Sequence, residues 1–256
     1  MKTVLITGAS SGIGRELAFV YAEKGYNLFL TARRAENLKG IKSKIESQHK
    51  VELAFFALDL SLPASAEQLF AKVKELGLEI NILINNAGFG IYSSFLESDI
   101  TENEKMLNLN ILSLTKLTYL FAKQMVDAGG GQIVNIASNA AFQGVPYLSA
   151  YAASKAYVMH FGEALAFELK PKNVFVTTIC PGATESEFGE VAGFKDGKVK
   201  PKMPSSRELA EFIHREAAKK KVNAIHGRMN AFMTFSQRFV PRKLITKITA
   251  SLIKQD

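Results

Sequence analysis

Short apolar runs alternate with amphipathic stretches along most of the chain. The apolar runs predict strands at 3–7, 27–31, 51–60, 80–88, 131–138 and 173–182. Apolar positions at helical spacing predict helices at 12–24, 35–48, 63–76, 99–128 and 150–170. The strand runs are continuously apolar, as expected for a parallel sheet that helices cover on both faces. The pattern therefore predicts an α/β fold with one doubly wound, mostly parallel sheet.

No proline-, glycine- or serine-rich linker divides this pattern, so we expect a single domain over 1–256. After Pro181 the pattern loosens, and 222–227 is a weak candidate for a final strand. Residues 182–206 are rich in glycine and small polar residues and have no firm period. A stretch of this length predicts a lid or binding loop over a substrate site, with a surface excursion without a role as the alternative.

Composition limits the class of protein. Of the 256 residues, 47% are hydrophobic and 22% charged, which is typical of a folded protein. Cys180 is the one cysteine, which excludes an internal disulfide framework and fits a reducing compartment. The apolar run at the N-terminus is too short to span a membrane, so we expect a cytoplasmic protein. The four histidines lack metal-ligand spacing, and we expect no metal site.

The net charge of +8 is concentrated near the C-terminus. Residues 227–256 hold six basic residues and one acidic residue, so this segment carries +5 and the rest only +3. A nearly balanced body argues against nucleic acid as a partner. The segment is a basic amphipathic extension broken at Pro241, with three alternatives: contact with an anionic membrane surface, docking on another subunit, or covering the chain's own substrate mouth.

Three glycines separate the first predicted strand from the first predicted helix: Gly8, Gly12 and Gly14. Glycine permits a tight turn and lets a phosphate approach the backbone, while the N-terminus of the next helix favours negative charge. The other strand ends carry polar or small residues as well, and such ends meet in one crevice of an open α/β sheet. No P-loop pattern is present. The crevice therefore indicates a dinucleotide site.

The residues after the second strand distinguish NAD from NADP. An acidic residue there would hold the ribose 2′-hydroxyl, but this chain has Ala32, Arg33 and Arg34. A guanidinium group binds a 2′-phosphate through paired, charge-assisted hydrogen bonds. The sequence favours NADP(H), with Arg33 as the contact, whereas Arg34 is left as a solvated surface residue.

Tyr151 and Lys155 are four residues apart at the start of a helical stretch, so their side chains project from one face. A tyrosine with its usual pKa near 10 is a poor base, and lowering that pKa to about 7 requires roughly 4 kcal/mol. A nearby ammonium group and a dry crevice are plausible sources of this energy. Ser138, which ends the preceding strand, is placed to hydrogen-bond a substrate oxygen.

The motifs TGASSGIG, NNAG, YAASK and PG, with Asn110 and Ser138 between them, occur in an order that resembles the short-chain dehydrogenase/reductase family over 2–190, in its NADP-preferring form. The resemblance implies a Rossmann-type fold. It also implies Ser138, Tyr151 and Lys155 as catalytic residues, with Asn110 holding a proton-relay water. The implied cofactor-binding residues are Gly8, Ser10, Ser11, Gly12, Ile13, Gly14, Arg33, Asp59, Leu60, Asn86, Ala87, Gly88, Tyr151, Lys155, Pro181, Gly182 and Thr184.

The expected function is an NADP(H)-dependent interconversion of a carbonyl and an alcohol. A protein that binds NADP as a sensor or scaffold without catalysis is the alternative. Aromatic residues in the loops favour an apolar small-molecule substrate: Phe89, Tyr92, Phe142, Tyr147, Phe188 and Phe194. Helices 99–128 and 150–170 resemble those that pair subunits in the family, which implies a homodimer or homotetramer.

Overall fold

A parallel sheet of seven strands forms the centre of the protein in a computed structural model, which describes residues 1–194 and 203–253. All six strand pairs are parallel, so the predicted doubly wound fold is confirmed. The strands are β1 Thr3–Thr7, β2 Asn27–Ala32, β3 Leu53–Ala57, β4 Ile82–Asn85, β5 Gly131–Ile136, β6 Val174–Cys180 and β7 Asn223–Ile225. The helices are α1 Gly12–Glu23, α2 Ala35–Gln48, α3 Ser65–Glu75, α4 Ile100–Leu107, α5 Leu114–Asp127, α6 Ser149–Leu169, α7 Phe188–Val191, α8 Ser206–Ala218, α9 Arg228–Ser236 and α10 Arg242–Ile253.

The strand order is β3-β2-β1-β4-β5-β6-β7, which reverses direction between β1 and β4. The chain first winds outward from β1 through β2 to β3, and then crosses back to place β4 on the other side of β1. In such a sheet the crevice beyond the carboxyl ends of the central strands is the usual ligand site. The topology therefore brings the polar ends of β1, β4 and β5 to one place.

Helices bury both faces of the sheet in separate apolar clusters. Ile6 of β1 packs in a cluster with Leu209 of α8, whereas its neighbour Leu5 packs on the opposite face with Phe121 of α5. All four side chains are fully buried. Successive side chains of a strand point to opposite faces, so a strand covered on both sides must be apolar throughout. This explains the continuous apolar runs in the sequence.

One predicted helix is divided in the structure, and one weakly predicted strand is present. The stretch predicted as one helix over 99–128 is divided into α4 and α5 by a π-helical segment, Asn108–Ser113. The weak candidate at 222–227 does form a strand, β7, which pairs with β6 at Asn223–Ile225. A strand of three residues is too short to show a hydrophobic pattern in the sequence. It is stabilised by its hydrogen-bonded pairing with β6.

Gly162 sets the distance between α6 and the sheet, and Gly162→Ala tests this packing. A Cβ atom at this position would overlap the Thr178 hydroxyl and lie 3.4 Å from Asn135 Nδ2. We expect the substitution to lower the free energy of unfolding by about 1–3 kcal/mol, the usual cost of overpacking. Chemical denaturation measures this change.

Gly40→Ala is the matched control, since Gly40 is also helical and has no atom within 4 Å of an added Cβ. It should raise the free energy of unfolding by roughly 0.5–1 kcal/mol, because alanine has the higher helix propensity. Equal effects of the two substitutions would contradict the close packing of α6.

Candidate active site

The loop after β1 is pressed against the segment that follows β4. Gly8 has φ +67°, and a Cβ atom on it would lie 2.8 Å from the Ala87 Cα. A Cβ atom on Gly14 would overlap the Gly8 carbonyl oxygen. Substitution at either position would force the backbone apart. The absence of side chains at these two glycines thus permits the close approach of the two loops.

Hydrogen bonds that Thr7 accepts hold the predicted segment Asn86–Gly88 in place. The Thr7 hydroxyl oxygen accepts from the backbone N–H groups of Asn86 and Ala87 at 3.0 and 2.9 Å. The Asn86 side-chain amide also donates to the Thr7 carbonyl oxygen at 2.9 Å. These bonds join the ends of β1 and β4, where the strand order reverses. The two loops of the predicted cofactor site therefore form one unit.

Helix α1 begins at Gly12, with Ser11 at its N-cap and Ile13 in its first turn. The Ser11 side chain makes no capping bond to the helix. The backbone N–H groups of the first turn have no partners inside the helix, and the helix dipole makes this end positive. Both features favour a phosphate group at this end of α1.

Arg34 is the arginine that contacts this loop. Its Nη2 donates to Ser11 Oγ at 2.6 Å and to Ser10 Oγ at 3.2 Å, and it pairs with the Glu187 carboxylate at 2.8 Å. The guanidinium group lowers the pKa of Glu187. Arg33, the predicted contact, is exposed. Sequence analysis left Arg34 as a solvated residue, because nothing in the sequence shows that Glu187 lies nearby.

The remaining predicted cofactor residues follow β3 and β6. Asp59 accepts bonds from the Ser61 backbone and hydroxyl at 2.9 and 2.7 Å, and Leu60 beside it is buried. After β6, the Pro181 carbonyl oxygen accepts from the Asn139 backbone at 2.8 Å. Gly182 faces Asn230 of α9, and the Thr184 hydroxyl donates to the Gly182 carbonyl at 3.1 Å. All lie beyond the carboxyl ends of their strands.

Helix α6 begins at Ser149, so Tyr151 and Lys155 lie on its first two turns. The Lys155 ammonium donates to the Ile136 carbonyl oxygen at 2.8 Å and lies 5.8 Å from the centre of the Tyr151 ring. It is also 3.3 Å from the position that a Cβ on Gly88 would take. Burial lowers the pKa of Lys155 to about 8. The predicted pair is thus brought together next to the loop after β4.

The environment of Tyr151 acts against the predicted lowering of its pKa. The side chain is 8% exposed, and burial raises its pKa to about 12, while a hydrogen bond with Ser138 lowers it by less. A phenolate loses its hydration in such a site, and the Ser138 hydroxyl replaces only part of it. In the protein alone, Tyr151 therefore holds its proton at neutral pH.

Asn110 lies within the π-helical segment between α4 and α5. Its side chain donates to the Phe89 carbonyl oxygen at 3.0 Å and to the Ser154 hydroxyl at 3.1 Å, and accepts from the Phe89 backbone at 3.3 Å. A Cβ atom on Gly88 would lie 2.9 Å from Asn110 Oδ1. The π-helical turn is common at functional sites. It places Asn110 between α6 and the loop after β4.

Aromatic side chains form an apolar mouth next to Tyr151. The Phe188 ring, on α7 of the predicted lid, lies 5.2 Å from the Tyr151 ring. The rings of Phe194 and Tyr147 lie 4.7 and 5.7 Å from that of Tyr92. Phe89, Ile91 and Ile253 pack in the same apolar cluster as Tyr151. Residues 195–202 of the predicted lid lie outside the described residues.

Phe142, predicted near this mouth, packs elsewhere. It belongs to a neighbouring cluster with Val158 and Met159 of α6. Phe142 ends a short 3-10 turn, Asn139–Phe142, that follows β5. The sequence could not reveal this turn, because the direction of a loop side chain depends on backbone angles that apolar patterning does not report.

The extension after β7 reaches the same mouth. The Tyr92 hydroxyl donates to the Ile253 carbonyl oxygen at 3.0 Å. Gln237 and Gln143 are joined by a side-chain hydrogen bond of 3.0 Å. Residues 254–256 of the predicted extension lie outside the described residues. Of the three alternatives for this segment, covering the chain's own mouth is the one that these contacts support.

The described residues, 1–194 and 203–253, contain no group of three or more His, Cys, Asp or Glu side chains that could hold a metal ion. None of their helices combines the length and apolar character needed to cross a membrane. The predicted residues do fit a dinucleotide: the glycines leave room at the positive end of α1, and an arginine lies beside it.

The family model for short chain dehydrogenases matches residues 2–193. The very-long-chain 3-oxoacyl-CoA reductase of Macaca fascicularis is 36% identical over 193 residues, which cover 73% of this chain and only 61% of that protein. A short-chain dehydrogenase from Sphingobium yanoikuyae, solved in complex with NADPH, has a TM-score of 0.83 and 31% identity, over 93% of this chain and 95% of that one. The bulky-bulky ketone specific alcohol dehydrogenase from Comamonas testosteroni has a TM-score of 0.81 and 28% identity. This match covers 93% of this chain and 92% of that one.

Lys155→Met tests the cost of the buried ammonium group. The native pKa of about 8 lies below the ordinary 10.5, so between these values the unfolded chain binds more protons and the free energy of unfolding rises with pH. At pH 7 the penalty is fully present. The substitution should therefore raise the free energy of unfolding there by about 1–3 kcal/mol, after the loss of the bond to Ile136.

Denaturation of both proteins across this pH range measures the difference, which should shrink as the pH rises from 8 to 10.5. Lys172→Met, at an exposed position, is the control and should leave the stability nearly unchanged. A pH-independent gain for Lys155→Met would show that packing, and not the charge, is responsible.

Proposed function

Because the chain belongs to the short-chain dehydrogenase family, we propose that it is an NADP(H)-dependent oxidoreductase that interconverts a carbonyl and an alcohol. The observation that carries this proposal is the buried Tyr151 beside Ser138, with the Lys155 ammonium behind it and the glycine loop of α1 at the same edge. When bound, NADP(H) supplies the hydride that is exchanged with the substrate carbon. The chain covers 61% of the relative's length, so its activity rests on this site and not on the relative's name.

Each site residue has a role in this proposal. The Tyr151 hydroxyl exchanges a proton with the substrate oxygen, and the Ser138 hydroxyl orients that oxygen by a hydrogen bond. The Lys155 ammonium holds the ribose next to the nicotinamide and favours the phenolate when that form is needed. Asn110 holds a water that returns a proton to the site.

The charge state of Tyr151 favours reduction. A pKa raised to about 12 keeps the phenol protonated at neutral pH, so it can donate a proton to a carbonyl oxygen as hydride arrives. Oxidation of an alcohol needs the phenolate, which burial disfavours. The positive charge of Lys155 then has to offset that burial. We therefore propose carbonyl reduction as the working direction.

Two arginines support the choice of NADP(H). Arg34 lies on the side chains of Ser10 and Ser11, next to the N-terminus of α1, and Arg33 is the exposed residue before it. A 2′-phosphate at this place would lie within reach of the Arg34 guanidinium group, and Arg33 is the adjacent exposed cation. The relative from Sphingobium yanoikuyae was solved with NADPH, which agrees with this choice.

The mouth favours an apolar carbonyl substrate. Apart from hydroxyl groups such as those of Tyr151 and Tyr92, the side chains clustered here are aromatic and aliphatic. The Phe188 ring lies 5.2 Å from the Tyr151 ring, and the Phe194 ring lies 4.7 Å from the Tyr92 ring. A ketone with bulky or long apolar substituents would bury them there. The names of two relatives, a very-long-chain 3-oxoacyl-CoA reductase and a bulky-bulky ketone specific dehydrogenase, agree with this class.

We also propose that copies of the chain associate through α5 and α6. Tyr119 on α5 and Phe167 on α6 are 62% and 85% exposed, so each helix presents an aromatic side chain that a partner subunit would cover. A two-fold pairing of these helices would bury both in a homodimer, which two further copies could extend to a homotetramer. The buried thiol of Cys180 suits a reducing compartment such as the cytoplasm.

Tyr151→Phe tests the proton transfer. Because the substitution removes only the hydroxyl, we expect kcat for reduction of an apolar ketone to fall by about 10²–10⁴-fold, the usual contribution of a general acid. The dissociation constant for NADPH should stay nearly the same. Loss of NADPH absorbance measures the rate, and fluorescence titration measures the affinity.

Tyr157→Phe is the matched control, since Tyr157 lies on the same helix and bonds to Thr115 on the surface. It should keep nearly full activity. Full activity of Tyr151→Phe with a genuine substrate would refute the assigned role. Tight NADPH binding by the wild-type protein without turnover of any carbonyl would instead support the non-catalytic sensor.

Arg33→Ala and Arg34→Ala test the recognition of the 2′-phosphate. Each substitution removes charge-assisted hydrogen bonds, so we expect each to weaken NADPH binding by about 10- to 100-fold. Binding of NADH, which lacks the phosphate, should change little and serves as the control. Equal losses for the two cofactors would show that neither arginine reads the phosphate.

A further inference from the structure

The C-terminal extension, residues 227–253 of the described chain, exposes an unusual amount of apolar surface. Phe239 and Leu252 are 77% and 79% exposed, and Phe232 is 67% exposed. The exposed large apolar side chains of this segment are Met229, Phe232, Met233, Phe235, Phe239, Leu244, Ile248 and Leu252. Single exposed apolar residues are ordinary, but a group of this size in one segment indicates a binding surface.

Helix α10 shows that this exposure follows a pattern. Leu244, Ile248 and Leu252 are spaced by four residues and form an apolar stripe that faces solvent. Lys243 and Lys247, also exposed and four residues apart, lie beside the stripe. A helix with an apolar stripe flanked by lysines suits the boundary between lipid headgroups and acyl chains.

The charge of the extension has one sign. Residues 227–253 contain five cations and no carboxylate: Arg228, Arg238, Arg242, Lys243 and Lys247. The adjoining segment 138–150, against which part of the extension packs, contains no charged residue. The whole surface is therefore cationic and apolar, which complements a layer of anionic headgroups over hydrocarbon.

We propose that the outer surface of the C-terminal extension binds an anionic lipid bilayer, with α10 lying in the plane of the headgroups. A second copy of the chain is the less suitable occupant. An isologous two-fold contact would bring together two copies of the same surface, each with five cations and no carboxylate to pair with them. A bilayer accepts both the phenylalanines and the cations without this repulsion.

The inner side of the extension fixes how the protein would be oriented. Ile253 accepts a hydrogen bond from Tyr92 at the substrate mouth, and Thr246 faces the backbone of Gly144. The apolar stripe of α10 is on the opposite side of the same helix. Docking through the stripe would therefore place the mouth beside the bilayer. The docking itself does not depend on the proposed reaction.

Vesicle co-sedimentation tests the proposal. The full chain is mixed with vesicles of phosphatidylcholine alone or of phosphatidylcholine with phosphatidylglycerol, at low and at high salt. We expect the protein to pellet with the anionic vesicles at low salt, to be released in part at high salt, and to stay in solution with the neutral vesicles. Absence of pelleting with anionic vesicles at low salt overturns the proposal.

Two double variants locate the surface. Lys243→Glu with Lys247→Glu should weaken binding to anionic vesicles at least about tenfold, since each cation near the surface contributes roughly fivefold. Phe239→Ser with Leu252→Ser should weaken vesicle binding by a similar factor, because less apolar surface is buried in the bilayer. NADPH binding by each double variant checks that it is folded. Vesicle binding that neither variant changes would place the contact elsewhere and contradict the proposal.

Further measurements separate the alternatives. Lys50→Glu with Leu76→Ser, at exposed positions in the segments that lead into β3 and β4, is the matched control and should bind as the wild type does. Tyr151→Phe should bind equally well, which distinguishes failure of docking from failure of the proposed reaction. If the extension variants instead convert an oligomer to a monomer in sedimentation velocity and vesicle binding is absent, the surface is an interface between copies.

Discussion

The candidate site depends on an ammonium group that the fold holds away from water. Lys155 is buried beneath the loop after β4, and its ammonium group donates a hydrogen bond to the carbonyl oxygen of Ile136 at the end of β5. Burial makes this charge unfavourable, as its lowered pKa shows. The group reaches this place because α6 packs on β6 through Gly162, which leaves no room for a side chain. The same packing brings Tyr151, one turn earlier, to the edge of the sheet.

The pKa values of the two residues are shifted toward their neutral forms. Burial raises the pKa of Tyr151 and lowers that of Lys155, because each loses hydration when charged. The protein alone therefore provides a proton donor, and not the phenolate that sequence reasoning expected from a nearby lysine. The 5.8 Å between the ammonium and the ring centre explains part of this difference. Under the proposed function, Tyr151 depends on bound cofactor for the phenolate that oxidation would require, whereas Lys155 with a pKa of about 8 is already protonated at neutral pH.

The sequence predicts the regular part of the fold well, because helices cover both faces of the sheet and make each strand continuously apolar. It places Gly8, Gly14 and Asn86 at strand ends that the parallel topology brings to one edge. The π-helical segment around Asn110 could not be predicted, since apolar spacing does not distinguish one extra residue in a turn. The contact of Arg34 with Glu187 was missed for another reason: the two residues are 153 positions apart, and their meeting depends on where the loop after β6 lies.

The least regular segments of the sequence meet at the substrate mouth. Phe188 and Phe194 come from the loop after β6, and Ile253 comes from the extension after β7, yet all three pack in the cluster that contains Tyr151. Side chains in a loop can be replaced without disturbing the sheet, whereas Tyr151 and Lys155 are fixed by α6. Under the proposed function, the rigid part of the fold positions the reacting groups, and the loop and the extension determine which carbonyl compound can approach them. Substrate choice should therefore depend on the loop after β6 and the extension after β7, where the hydrophobic pattern of the sequence is weakest. The inner side of that extension packs at the mouth, and its outer side carries the surface proposed to bind the bilayer.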